Sequence, residues 1–258
     1  MTENSLSDHI VEHDGRAQRQ YIDACSVFGA YEAALRAKKQ ISGTMMWKRI
    51  KGADYLYKVL NKEVLEEYGL QSEATEAICK KFRKEKNEIY NRARALKYEL
   101  NIQRQMNKIL HVGRAPDSLV SSLNREAKRV GIAETAPLLD LRGMLAYEAK
   151  VGAIITFGVY SYEELFIPDC LAGYIKEAKI DLVKDRFSAM IVSKNGHMAM
   201  AHTITPQALS KVIRVVASHE ESSQRRDKYL FLVDLLEEIS NEWFPHLWYS
   251  YDELTPKP

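Results

Sequence analysis

The sequence predicts an α+β fold, and three observations predict it. Apolar residues recur at helical spacing over residues 18–40 and again over 72–110. Between those stretches, residues 45–60 alternate polar and apolar around a glycine, the pattern of a small β-hairpin. After residue 136 short apolar runs alternate with helix signals, as in a small mixed sheet flanked by C-terminal helices. The expected organisation is a flexible polar arm at 1–16, a helical region with its hairpin at 17–135, and an α+β domain at 136–258.

Each element has its own reason. Tyr21, Ile22, Cys25, Phe28, Ala33 and Leu35 place an apolar stripe on the first helix, which Gly43 ends. In the hairpin Met46, Lys48 and Ile50 alternate with Trp47, Arg49 and Lys51, and Gly52 turns the chain into Tyr55-Leu56-Tyr57. Ser72 with Thr75-Glu76 is capping chemistry for a long helix. Phe82, Ile89, Leu96, Leu100, Met106 and Leu110 give that helix a near-heptad stripe to about residue 110, and Gly113 and Pro116 stop it. A second amphipathic helix spans about 117–130.

The remaining chain predicts strands at 138–141, 153–157, 180–183, 189–192 and 197–201, with a helix at 142–150. Segment 161–179 is mixed, with Pro168 interrupting it. Asn195-Gly196 is a strong hairpin turn. Thr205-Pro206 opens a helix at about 207–220, and a last helix covers 223–243. The aromatic tail 244–251 is expected to fold back on the body.

Composition excludes several function classes. With 46% hydrophobic and 28% charged residues in 258, the chain has enough apolar material for a sizeable core and is not a disordered polypeptide. Cys25, Cys79 and Cys170 are odd in number and far apart, which argues against a disulfide framework or a zinc cluster. No apolar run approaches membrane-spanning length and no signal pattern opens the chain, so the expectation is a reduced cytoplasmic protein without membrane contact. The net charge of +2 names no partner, but its distribution is uneven. Residues 80–104 carry nine basic residues against the three acids Glu85, Glu88 and Glu99. Lys80, Lys81, Arg83 and Lys84 are therefore candidate contacts for nucleic acid or an acidic protein. A solvated face around the apolar stripe is the commoner explanation of such a run.

Other candidates are thin. His197 and His202 have no carboxylate at ligand spacing, so zinc is not expected there. Serines lack a nucleophile-elbow pattern, and Gly43, Gly52, Gly69 and Gly113 are too scattered to cradle a phosphate. Arg225-Arg226 could meet a phosphate, but a charged turn opening a helix is the commoner explanation; Trp243, Trp248, Tyr249 and Tyr251 could stack bases, but such a patch more often closes a core or a dimer seam.

The string Trp47-Lys-Arg-Ile-Lys-Gly-Ala-Asp-Tyr-Leu-Tyr57 resembles the WKxxKGxxYLY hairpin of a bacterial nucleotidyltransferase-like family. Gln71-Ser-Glu-Ala-Thr-Glu-Ala-Ile78 is similar to the helix start that comes next in that family. The likeness continues through Val112-Gly-Arg-Ala-Pro116 to Ala146-Tyr-Glu-Ala149 and Gly152, and returns weakly at Arg225-Arg-Asp-Lys-Tyr229. The resemblance implies a nucleotidyltransferase-like mixed sheet with a Gly-Ser/Thr turn and an Asp-x-Asp pair. It implies Mg²⁺-assisted transfer of a nucleoside monophosphate from an NTP to an acceptor. Such chemistry needs hard oxygen ligands side by side on a strand and a turn whose amides face phosphate.

This sequence departs from that pattern. Asp140 and Leu141 stand where the glycine and hydroxyl belong, and Lys179 stands where the first carboxylate belongs. Asp181 remains as the candidate catalytic and metal-binding carboxylate, with Asp185 as its helper. The expectation is therefore a weak or degenerate nucleotidyltransferase-like protein. The alternatives are a non-enzymatic binding module using the basic helix, and a homo-oligomer paired through Phe82, Ile89 and Leu96.

Overall fold

The computed structural model describes residues 10–139, 141–155 and 172–244. Its elements are, in chain order, β1 (Ile10–Glu12), α1 (Gly15–Gln40), β2 (Thr44–Ile50), β3 (Ala53–Leu60), β4 (Glu63–Leu70), α2 (Glu73–Ile109) and α3 (Asp117–Val130). Then come α4 (Met144–Val151), β5 (Ala153–Ile155), α5 (Ala172–Glu177), β6 (Arg186–Val192), β7 (Met198–Ile204), α6 (Pro206–His219) and α7 (Ser223–Trp243). The fold is α+β, with small antiparallel sheets. Among the described residues no helix is long and apolar enough to cross a membrane.

The chain divides into two compact units, residues 22–105 and residues 1–21 with 106–258. This differs from the boundary expected near 135. Leu119, Val120 and Leu123 of α3 are buried in the α+β core, so that helix belongs with the C-terminal elements.

In the unit of residues 22–105, β2, β3 and β4 form an antiparallel meander in that order. Two tight turns make it. Lys51 and Gly52 both have positive φ, as a type I′ hairpin requires, and Asn61 and Lys62 repeat the device before β4. The residue pattern predicts only the first hairpin and misses β4. Three glutamates mask that strand, and its first five residues all face solvent. Met45, Leu56 and Cys79 form the buried centre, flanked by Trp47, Tyr68 and Phe82. Helix α2 starts where Ser72 and Thr75 cap each other: the Ser72 amide donates to Thr75 Oγ1 at 2.8 Å, and the Thr75 amide to Ser72 Oγ at 3.3 Å.

The second unit is built on the β6–β7 hairpin, with α4, α6 and α7 among the elements that fill its core. Met144, Ala146, Tyr147, Val212, Ile213, Leu232 and Leu236 are fully buried. Tyr147 donates to the Ile204 carbonyl, and its ring meets Phe187 edge-on at 5.3 Å. The hairpin turn at Asn195-Gly196 forms as expected, with Gly196 at φ 77° and its amide bonded to the Ser193 carbonyl. Thr205 caps α6 with Pro206 in its first turn.

Three local expectations need correction. The arm expected over 1–16 contains β1, which pairs antiparallel with β5 through Ile10↔Ile155 and Glu12↔Ala153. In the segment expected as a strand at 138–141, Leu138 and Leu139 belong to no strand: the Leu138 amide bonds to the His202 carbonyl at 2.6 Å, and a 3₁₀ turn, Leu141–Gly143, leads into α4. Gly143 permits that approach, because a Cβ there would sit 2.6 Å from Thr203 Oγ1. Residues 180–183 form a turn rather than a strand, for reasons that lie in Asp181. Asp140, the aromatic tail beyond Phe244 and most of segment 161–179 lie outside the described residues.

Candidate functional site

Lys80, Lys81, Arg83 and Lys84 are all solvent-exposed near the N-terminal end of α2. None of the four forms an ion pair among the described residues. Their neighbour Lys86 differs. It is half-buried, donates to the Gly43 carbonyl and lies over the Phe82 and Tyr90 rings at 5.8 and 5.6 Å. Lys86 thus anchors the helix to its own unit, while the four exposed cations project freely. Phe82, Ile89 and Leu96 are half-buried, so the stripe meant for a partner chain is partly covered within the chain itself.

The proposed catalytic carboxylates sit elsewhere and do other work. Asp181 Oδ1 accepts from the amides of Val183 (2.9 Å) and Lys184 (3.3 Å). Asp185 Oδ2 accepts from the Asp181 amide at 3.0 Å. These bonds bend the chain into a turn and hold the Asp181 carboxyl below its ordinary range, the amides being the main cause. Asp181 is exposed, and each carboxylate is committed to backbone donors. Among the described residues no group of three or more His, Cys, Asp or Glu is arranged to hold a metal ion. The pair does not fit a Mg²⁺–NTP site.

Two of the strings that carry the resemblance, residues 112–116 and 146–149, meet in a small cleft of the second unit lined by His13, Tyr21, Gly113, Arg114, Leu145 and Glu148 among others. Arg114 donates through Nε to Glu148 Oε2 at 2.8 Å and through Nη2 to Glu148 Oε1. The same Nη2 reaches the Ile155 carbonyl at 3.1 Å, and the Ile155 amide donates to Glu148 Oε1 at 3.0 Å. Burial pushes the Glu148 carboxyl up, against the opposing pull of Arg114. His13 is pushed down by burial and by the nearby Arg114 cation. The Arg114 segment runs beside β6, with the Ala115 amide on the Val192 carbonyl at 3.1 Å. The Arg114–Glu148 pair is spent on holding Val112–Ala115, α4 and β5 together, which marks it as a structural clamp.

His202, set aside as a metal ligand by the sequence, is buried between strand and turn. Its Nδ1 lies 2.6 Å from Ser188 Oγ and its Nε2 2.8 Å from the Ile132 carbonyl. The carbonyl fixes the proton on Nε2, so Ser188 donates to Nδ1. His197, Arg225 and Arg226 join none of these clusters.

No protein-family model, no curated protein and no solved structure matches this chain. The cations of α2 can be named from composition alone. The Arg114–Glu148 pair cannot, although both residues lie inside strings that carry the resemblance, because their meeting depends on tertiary contacts across 34 positions.

Proposed function

We propose that this protein is a nucleotidyltransferase-like chain that acts as a non-enzymatic nucleic-acid-binding module. Lys80, Lys81, Arg83 and Lys84 hold backbone phosphates. One observation carries the reading: four cations within five residues of α2 are exposed and form no ion pair among the described residues. Counterion release from the nucleic acid then supplies the binding free energy.

The test is fluorescence anisotropy of a labelled duplex over a salt series. Four phosphate contacts give a log–log slope of about −3.6 in the salt-sensitive range. Charge reversal at Lys81, Arg83 and Lys84 is expected to remove about three units of that slope. Binding that ignores salt, or survives the reversal unchanged, refutes the reading.

Catalysis takes second place because Asp181 and Asp185 serve backbone amides. Radiolabel transfer from nucleoside triphosphates with Mg²⁺ or Mn²⁺ is expected at background level. Transfer above background that is lost in Asp181→Ala would reverse this order.

A further inference from the structure

The four cations account for attraction to phosphate, but a different set of side chains runs along the same helix. Lys80, Lys84, Asn87, Asn91, Arg94 and Tyr98 are spaced four, three, four, three and four residues apart, which places them on one face of α2. All six are exposed, Tyr98 by 70%. Of the acids in this stretch, Glu85 and Glu99 fall off this face, and Glu88 borders it, four residues from Lys84 and three from Asn91.

Asn87 and Asn91 are the unusual members. Asparagine disfavours a helix interior, because its amide competes for the backbone. Neither side chain makes a hydrogen bond within the described protein, so neither capping nor packing accounts for them. Each offers one acceptor and a two-proton donor to whatever approaches the helix. Flanking them are cations on one side and Arg94 with Tyr98 on the other.

We propose that this seam is a recognition face for duplex DNA, in which Asn87 and Asn91 read adenine edges in the major groove. This rests on the nucleic-acid reading above. A carboxamide matches the N6 donor and N7 acceptor of adenine in a bidentate pair. The two amides are about 6 Å apart along the helix axis, the span of roughly two base-pair steps. Asparagine is short, so its helix must enter the groove itself. The B-form major groove, about 12 Å wide, admits a helix, whereas the deep, narrow groove of duplex RNA does not. Lys80 and Lys84 then meet phosphates at one groove wall, and Arg94 and the Tyr98 hydroxyl meet those at the other.

The experiment selects bound sequences from a random duplex pool with the full chain at about 150 mM salt, then repeats it with Asn87→Ala/Asn91→Ala. Alanine favours the helix, so the double variant keeps its fold, which circular dichroism verifies. The full chain is expected to enrich sites with an adenine at fixed positions and to bind them about tenfold or more tighter than scrambled duplex. The variant is expected to bind scrambled duplex within about twofold of the parent, with the same salt slope, and to lose the preference. Salt-dependent binding with no enriched site overturns the base readout and leaves the phosphate-binding module standing. A preference that persists in the variant overturns the assignment to Asn87 and Asn91. Tighter binding to single-stranded RNA of the selected sequence overturns the choice of duplex DNA, and absence of all binding overturns both proposals.

Discussion

Replacing Arg114 by alanine strands a carboxylate that the fold has already removed from water. The Glu148 side chain is only 6% exposed, and Arg114 supplies two of its hydrogen bonds and its counter-charge. Removing one partner of a buried pair costs about 3–5 kcal/mol, and the one-third exposure of Arg114 sets the lower end, about 3 kcal/mol. The sign of the pH dependence comes from Glu148, whose folded pKa lies above its unfolded value because burial dominates. The native state then binds more protons than the unfolded chain, so this group's contribution falls as pH rises from the ordinary carboxylate range through the raised value. Losing Arg114 removes the interaction that opposes the rise and widens that window upward. The penalty of Arg114→Ala should therefore be full at pH 8 and shrink as pH falls towards 5. Urea unfolding of both proteins, followed by circular dichroism at each pH, measures the difference directly. A penalty under about 1 kcal/mol, or one that does not change between pH 8 and 5, refutes the clamp.

Two further perturbations probe the same unit. Gly113→Ala would drive a Cβ into the backbone carbonyl of Val192, and that backbone cannot yield as a flexible side chain would. We expect a loss of several kcal/mol in thermal melts and faster hydrogen exchange at the Ala115 amide; a stability within about 0.5 kcal/mol of the parent would disprove the contact. His202 is held neutral, with its pKa lowered chiefly by burial. The unfolded chain binds the extra proton, so stability should decline as pH falls below about 6.5, and His202→Gln should flatten that decline between pH 7 and 5. Identical pH curves for variant and parent would remove His202 from the account.

The helices are legible in the sequence because local chemistry sets them. The Ser72–Thr75 cap, the Thr205-Pro206 start and the stop at Gly113 and Pro116 are written in neighbouring residues, and α2, α3, α6 and α7 fall close to where those signals put them. The strands are less so. Residues 180–183 have apolar strand composition, but Asp181 offers its carboxylate to two amides and wins the segment for a turn. Strand β4 hides behind Glu63, Glu66 and Glu67, since an exposed strand need not alternate. For the candidate site, the cations of α2 can be read directly, because exposure is the default for such residues. The Arg114–Glu148 clamp cannot, because periodicity carries no information about which distant loop meets which helix.

The pairing of β1 with β5 sets the order in which this protein can mature during synthesis. Ile10 is made roughly 145 residues before its partner Ile155. At about 5–20 residues per second the first strand waits some 7–30 s with its hydrogen-bonding edge unoccupied. Helix α1 can form at once from local contacts, whereas the strand beside it closes only after α4 has emerged. The nascent segment ahead of α1 is therefore a point where a chaperone, or another nascent copy, has time to intervene.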